Sequence, residues 1–436
     1  MLVIVTQNPG NRKTGLSGCA ILAIMQRFLV PRLCVMYFLQ CFAMGAVVPI
    51  FSLYLRNDLG FSGSQTGLIL SMAAVSAFVS PLVWAVVVDR VVSAERLLAL
   101  SHAAGAAIMF GLSQVQDFRL VLGGYLLYMV CLGPTIPLTN TVVFGHLQER
   151  GGGEFGRIRV FGTLGWIVVA WFFSFFWLAR VDSAGFVDAL RVSAAASAVM
   201  FLWSLSIPRR REIHPGSLSQ LIPRAAVQVV LKPQVLTVGI AMLLIAALDR
   251  IYVYGGSPLL AALGVPSQAI MPILSLGQVP ELFALFFLGS LVRRWGYRRM
   301  VMLGIGFQLF RFTAFLLGGI LPLPLVVAGF SVHGLTYAFG IALCSMFADA
   351  HCAPENRGGV HQLLELMSFG FGNIIGNVGA GVLAEVGEPL GTTGFEVLYG
   401  VALAVGITAL VLVRLRMPDA SPVVEPEPTE TNTCSR

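Results

Sequence analysis

The sequence predicts an all-α polytopic membrane protein whose twelve transmembrane helices form two six-helix bundles. Of its 436 residues, 57% are hydrophobic and only 11% are charged, whereas about 25% of an average soluble domain is charged. A helix needs roughly 20 apolar residues to cross the hydrocarbon core of a bilayer, and such stretches follow one another along this chain. Because the stretches are long and continuous, they indicate helices rather than the alternating strands of a transmembrane barrel.

Each apolar window between charged or Gly/Pro-rich breaks is predicted as one membrane span. The seventh window is the least regular, because it contains Asp249-Arg250 and Gly255-Gly256. The twelve predicted spans are 33–55, 66–88, 97–116, 119–144, 160–179, 187–207, 234–257, 267–292, 300–320, 322–347, 361–384 and 395–414.

The longest polar interruption follows the sixth span and divides the chain into six plus six helices. The loops after the second span (VVVDRVVSAERL) and after the eighth (GSLVRRWGYRRM) are both short and basic and lie at matching places in the two halves. This weak internal similarity indicates a transporter built by duplication. The predicted organisation is a cytoplasmic N-terminal extension at 1–32, a first bundle at 33–207, a cytoplasmic linker at 208–233, a second bundle at 234–414 and a disordered cytoplasmic tail at 415–436.

The distribution of basic residues predicts the orientation in the membrane. With the N-terminus inside, the inner segments hold 22 Lys and Arg residues and the outer loops hold 4, so both termini should face the cytoplasm of a bacterial inner membrane. The net charge of +7 is therefore explained by topology, and no nucleic-acid partner is expected. A cleaved signal peptide is the less favoured alternative for the first 32 residues, and translation could start at Met1 or at Met25.

The chain lacks the motifs of an enzyme or a metalloprotein. Its seven cysteines include no C-x-x-C pair, and GNRKTG near the N-terminus lacks the order of a P-loop. Neither H-E-x-x-H nor G-x-S-x-G occurs. We therefore expect no catalytic residues, no metal and no cofactor.

Glu281 is the main candidate for proton coupling. It lies in ILSLGQVPELFALFFLGSLV, and no other ionisable residue occurs between Arg250 and Arg293. An acid among apolar side chains favours its neutral form, and such a group can take up and release protons. Gln278 precedes it by three residues and shares its helix face. The alternative is a structural Glu bonded to a neighbouring helix.

A second candidate set lies at the start of the fifth span. Arg159, Thr163 and Trp166 are spaced by four and three residues, so one helix face presents a guanidinium, a hydroxyl and an aromatic plane. Together they could hold a polar solute that contains a ring. The alternative for Arg159 is a cytoplasmic anchor, which is the preferred interpretation for Arg157.

Two further pairs are candidates for solute binding. Asp249 and Tyr252 are three residues apart in the seventh span, and His333 and Tyr337 are four apart in the tenth. Asp249 could instead form an internal charge pair with Arg250. Arg311 in the ninth span needs an anion, and the sequence offers Glu281 or Asp349 without choosing between them.

Several motifs together resemble the bacterial nucleoside–proton symporter family of the major facilitator superfamily. The matching segments fall in family order between about residues 35 and 414. They are VVDRVVSAERLLALSHAAGA, PTIPLTNT, RIRVFGTLGW, the Q-x-x-E of Gln278 and Glu281, LFRF around Arg311, and GFGNIIG.

The resemblance implies the major facilitator fold and proton-driven nucleoside import by alternating access. It assigns solute binding to Arg159, Thr163, Gln278 and Glu281, with Trp166 as the following aromatic. Asp249 and Tyr252 replace the family's amide-bearing pair in the seventh span, while His333 and Tyr337 occupy its Tyr and Phe positions in the tenth. These departures leave a different solute possible, and Asp249 could share the proton with Glu281.

The predicted function is therefore a proton symporter, with protons as the coupling ion, for nucleosides or a related polar solute that contains a sugar. Its expected partners are this solute, protons and the lipid bilayer, and a monomer is expected. The alternatives are a sugar or glycoside symporter, a drug-type antiporter, or a transport-dead sensor. The sensor is disfavoured because the linker and tail are too short to hold a signalling domain.

Overall fold

The computed structural model describes residues 29–83, 92–147, 155–178, 185–209, 224–389 and 394–419. This part of the chain contains twelve long helical segments and no strand. The segments are α1 (Leu29–Asp58), α2 (Gly63–Val79), α3 (Ala94–Leu112), α4 (Phe118–Leu147), α5 (Phe155–Leu178), α6 (Val187–Leu205), α7 (Pro233–Ala262), α8 (Ser267–Trp295), α9 (Tyr297–Leu316), α10 (Leu323–Ala350), α11 (Pro354–Gly387) and α12 (Glu396–Arg416).

Ten of these segments are long and apolar enough to cross a membrane. The apolar part of α2 is shorter, and α3 carries Glu95 and Arg96 in its first turn. The prediction of an all-helical membrane protein with twelve spans is confirmed.

Local sequence explains where several helices begin and turn. The Ser62 side chain and Gln65 form a capping box at the start of α2, and Asp117 accepts two backbone N–H bonds at the start of α4. Both arrangements satisfy donors that have no partner inside the helix. The turns after α1 and α7 place Gly60 and Gly264 at φ of 68° and 75°, a left-handed conformation that glycine adopts without steric cost.

The two halves, α1–α6 and α7–α12, pack their helices in the same pattern. In the first half, α1 contacts α5 and α6, α3 contacts α4 and α6, and α2 contacts α4. In the second half, the helices six positions later make the same pairs: α7 with α11 and α12, α9 with α10 and α12, and α8 with α10. This repetition agrees with a duplicated chain, while the predicted domain boundaries stay a prediction.

The halves meet along two seams, one between α2 and α11 and the other between α5 and α8. These seams are equivalent, because α2 of the first half corresponds to α8 of the second, and α5 corresponds to α11. We call the end at which α1 begins and α6 and α12 end the terminal end, and the opposite end the far end.

Polar bonds between the halves cluster at the far end. Ser52 lies 3.3 Å from Ser257, and Arg56 donates to Tyr254 (3.0 Å) and pairs with Glu388. On α2, the Ser64 backbone N–H donates to Glu385 of α11 at 2.9 Å. Gly63 and Gly381 allow the close approach, because a Cβ on either would lie 2.4 Å from the other's carbonyl oxygen.

One helix was not predicted. The segment Arg224–Val230 falls in the predicted linker, but it is helical and packs on the start of α11. The first half of the segment VVVDRVVSAERL after the second span (residues 86–91) lies outside the described residues, as do most of the predicted N-terminal extension and tail.

Candidate functional site

Glu281 of α8 lies where α8 and α10 pack most closely. A Cβ added to Gly334 of α10 would be 2.3 Å from the Glu281 Cβ and 2.4 Å from the Gly277 carbonyl oxygen. The Glu281 side chain is partly exposed. To the residues that the structure describes it makes no hydrogen bond or salt bridge, and its oxygens are not sealed from solvent. The carboxyl group is therefore free to exchange a proton.

Arg159 of α5 is the charged group that faces Glu281 from the other half. It is exposed and lies within electrostatic range of Glu281. Its guanidinium is 5.7 Å from the centre of the Tyr37 ring, a cation–π distance. Because α5 and α8 belong to different halves, this cation and this carboxyl can respond to the position of one half relative to the other.

The other two residues of the α5 face follow Arg159 by one and two turns. Thr163 is partly exposed and forms no hydrogen bond within the described part of the chain. Trp166 is also partly exposed, and a Cβ added to Gly45 of α1 would lie 3.1 Å from its indole. Thr163 therefore keeps its hydroxyl available, while Trp166 is partly used in packing α5 on α1.

Two residues around Arg159 were missed by sequence reasoning. The Tyr37 hydroxyl donates to Asn140 of α4, and the Tyr37 ring supports the guanidinium. Tyr37 is buried on α1, and nothing in its sequence neighbourhood distinguishes it from a packing aromatic. Asn140 lies in the motif PTIPLTNT, which was noted only for its resemblance.

A buried polar cluster joins α7, α9 and α10. The Nδ1 atom of His333 lies 3.1 Å from Arg311 Nη1 and 3.3 Å from Asp249 Oδ1. Asp249 also pairs with Arg250, as the charge-pair alternative predicted. Arg311 is fully buried, donates to Gln308, and lies 4.3 Å above the Tyr252 ring centre.

The structure corrects the expected partner of Arg311. Neither Glu281 nor Asp349 binds it. Asp349 instead bonds His361 at 2.6 Å, and Asp249 is the carboxylate within electrostatic range of Arg311. The sequence could not show that Asp249 of α7 supplies the carboxylate and His333 of α10 the hydrogen bond, because both contacts depend on which helices pack together.

The two tyrosines of the predicted site differ in accessibility. Tyr252 is 5% exposed and stacks on His333 at 4.5 Å, with Phe315 and Phe330 close by. Tyr337 is 40% exposed and lies within electrostatic range of Glu281, Arg159 and Asp249. Tyr337 is therefore the aromatic that remains open beside the charged groups.

Eight of the nine predicted site residues thus form two groups with different environments, while Trp166 is partly used in packing α5 on α1. Arg159, Thr163, Glu281 and Tyr337 are accessible and come from both halves, and Gln278 is partly exposed one turn before Glu281. Asp249, Tyr252 and His333 are tied into the cluster around Arg311, with Asp249 and His333 each 20% exposed at the side chain. A cation, a carboxyl and an aromatic plane around one space suit a polar solute with a flat ring. Within the described ranges, no group of His, Cys, Asp and Glu could hold a metal ion.

Comparison with known proteins identifies the family to which the chain belongs. A family model described as nucleoside H+ symporter matches residues 28–419. Among curated relatives, the nucleoside permease NupG of Escherichia coli (strain K12) is 25% identical over 420 residues, covering 89% of this chain and 98% of the permease. The xanthosine permease of the same organism is 23% identical over 372 residues, covering 81% and 87%.

Solved structures show the same fold. The crystal structure of the nucleoside transporter NupG has a TM-score of 0.78 at 24% identity, covering 88% of this chain and 97% of that chain. The predicted major facilitator fold is confirmed. Since the matched region spans nearly all of the described residues, this membrane transporter belongs to the nucleoside H+ symporter family.

Proposed function

We propose that this symporter binds a nucleoside in the space between Arg159 of the first half and Glu281 of the second. The observation that carries the proposal is that these two opposite charges belong to different halves and lie within electrostatic range of each other, while Glu281 has no hydrogen-bond partner among the described residues. An unliganded polar group in a membrane helix favours a role in transport. The curated relatives named nucleoside and xanthosine permeases support the same class of solute.

The accessible residues divide the recognition of a nucleoside between them. Arg159, Thr163 and Gln278 offer donors and acceptors for hydroxyl and carbonyl groups. Tyr337 offers a face on which the base can stack, since it is the more exposed of the two tyrosines. Asp249 and His333 contribute the part of their surface that the Arg311 cluster leaves open.

Glu281 carries the proton in this scheme. A protonated Glu281 no longer attracts Arg159, so the guanidinium is released to bind the solute. Proton and solute then stabilise the same arrangement of the halves, and each increases the affinity for the other. Asp249 is the less suitable carrier, because it is already paired with Arg250.

The predicted orientation indicates from which side of the membrane the site is open. With both termini in the cytoplasm of a bacterial inner membrane, the far end is periplasmic. The bonds of Ser52, Arg56 and Ser64 to the second half would then close the periplasmic side, so that Arg159 is reached from the cytoplasm. A monomer suffices, because both halves of the site belong to one chain.

Uptake into proteoliposomes tests the proposal. Purified protein is reconstituted, and labelled uridine or adenosine is supplied with the outside more acidic than the inside. We expect uptake that the gradient stimulates and a protonophore abolishes. If the gradient stimulates uptake of no nucleoside in a panel of purine and pyrimidine nucleosides, nucleoside symport by this chain is refuted.

A further inference from the structure

The hydrogen bonding of His333 specifies which of its ring nitrogens carries the proton. Nδ1 lies 3.1 Å from Arg311 Nη1 and 3.3 Å from Asp249 Oδ1. A guanidinium can only donate and a carboxylate can only accept, so Nδ1 can satisfy one of them at a time. Of the two contacts, the one with Arg311 has the geometry of a hydrogen bond, while the one with Asp249 is an ion-pair distance only. Nδ1 is therefore the bare nitrogen, and the neutral ring carries its proton on Nε2.

Arg311 is held in place independently of His333. Its other Nη donates to Gln308, and its guanidinium lies 4.3 Å from the ring centre of Tyr252 and 5.1 Å from that of Phe312. The residue is 0% exposed. A charge that is fixed in this way excludes a second cation 3.1 Å away, because Coulomb repulsion is strong where water is excluded.

The charged and titratable groups around His333 come from every helix packed against it. Asp249, Arg250 and Tyr252 face it from α7 and Arg311 from α9. From α8 it meets the backbone at Gly277, while Glu281 lies within electrostatic range of Asp249. Farther off, Tyr399 of α12 is within range of Arg311.

The protonated nitrogen remains available for a ligand. The His333 side chain is 20% exposed. Within the described part of the chain its Nε2 forms no hydrogen bond, and it is not sealed from solvent as Nδ1 of His102 is. His333 also precedes the exposed Tyr337 by four residues on α10, which places the two side chains on one helix face. A base stacked on Tyr337 would present its edge toward His333.

We propose that Arg311 is a positioning residue that fixes His333 as an Nε2–H donor, and that this N–H binds a carbonyl oxygen or ring nitrogen of the nucleobase. The inference rests on the proposed binding of nucleosides between the halves. Arg311 itself does not touch the solute. Because Arg311 donates to Nδ1, that nitrogen cannot carry the proton that Asp249 would otherwise attract. The ring therefore keeps its proton on Nε2, and the solute meets an N–H donor at this position.

Two substitutions of His333 distinguish the roles of its two ring nitrogens. His333→Gln retains an N–H donor near the position of Nε2, whereas the shorter amide of His333→Asn offers Arg311 an acceptor near Nδ1 but places no donor at the position of Nε2. In nucleoside exchange between equal pH values, we expect KM to rise about tenfold for His333→Asn and less than about threefold for His333→Gln. Equal KM values for the two variants would overturn the assignment of Nε2 as the donor.

Adding Arg311→Gln to two backgrounds tests the positioning role. Without the guanidinium, Nδ1 can donate to Asp249, and Nε2 then loses its proton. KM should therefore rise about tenfold when Arg311→Gln is added to the unmodified transporter. It should change less than about threefold when Arg311→Gln is added to His333→Gln, because the amide of Gln has no tautomer to exchange.

A merely structural role of Arg311 would raise KM by the same factor in both backgrounds, and that result would refute the proposal. Loss of folded protein for Arg311→Gln leaves the two single His333 variants as the decisive measurement. Absence of nucleoside exchange in the unmodified transporter would refute the proposed function instead.

Discussion

Glu281→Gln removes one proton-binding carboxyl and leaves a side chain of nearly the same size. One pH unit across the membrane supplies about 1.4 kcal/mol per coupled proton, which supports about tenfold accumulation of an uncharged nucleoside. In the described part of the chain Glu281 has no hydrogen bond, whereas Asp249 is paired with Arg250. One proton per nucleoside is therefore expected. The variant should accumulate no nucleoside above the external concentration.

The assay is static-head accumulation in proteoliposomes with the membrane potential clamped at zero by potassium and valinomycin. Exchange of labelled for unlabelled nucleoside at equal pH should persist in Glu281→Gln, because its amide still completes the site. Glu365→Gln is a matched control in the same half, since Glu365 is an exposed acid on α11, and it should keep tenfold accumulation. Tenfold accumulation by Glu281→Gln would refute the assignment and make Asp249 the next candidate.

Three further predictions concern binding, packing and the seam at the far end. Arg159→Ala should weaken nucleoside binding by about 10- to 100-fold, since charge-assisted hydrogen bonds are lost; an unchanged Kd by equilibrium binding would return Arg159 to the role of a membrane anchor. Gly334→Ala should lower the apparent Tm by several degrees, because its Cβ would meet Glu281 Cβ at 2.3 Å, whereas Gly306→Ala on α9, with nothing within 4 Å, should leave it unchanged. Arg56→Ala should open the far end, so that Ser257→Cys, 1% exposed here, reacts several-fold faster with an impermeant maleimide; an equal rate would show that the Arg56 bonds do not hold this end closed.

The number and order of the helices could be predicted because burial in a bilayer imposes one simple requirement on sequence, a long apolar run. α3 is the informative exception, since Glu95 and Arg96 lie in its first turn, yet the window after them was apolar enough to be recognised. The helix Arg224–Val230 was missed for the opposite reason. It is too short to register as a span, and its packing on α11 could not be read from sequence.

The candidate site could be predicted only within single helices. Spacing placed Arg159 with Thr163, and Gln278 with Glu281, because residues three or four apart share a face. Contacts between residues of different helices could not be predicted. The sequence could not indicate that His333 of α10 would lie between Asp249 and Arg311, or that Tyr37 of α1 would support Arg159, because each contact depends on which helices pack together.

The seams explain how one site can serve both sides of the membrane. The α2–α11 and α5–α8 seams are exchanged by the six-position repeat, so rocking one half against the other can open one end and close the other while packing within each half is kept. The far end is held in part by polar bonds such as that of Arg56 with Glu388, which is 50% exposed at its side chain, and such bonds contribute only about 0 to 1 kcal/mol each. The closed end can therefore reopen at little cost. Solute and proton, bound between Arg159 and Glu281, then need only a modest preference for one arrangement to shift the population between the two.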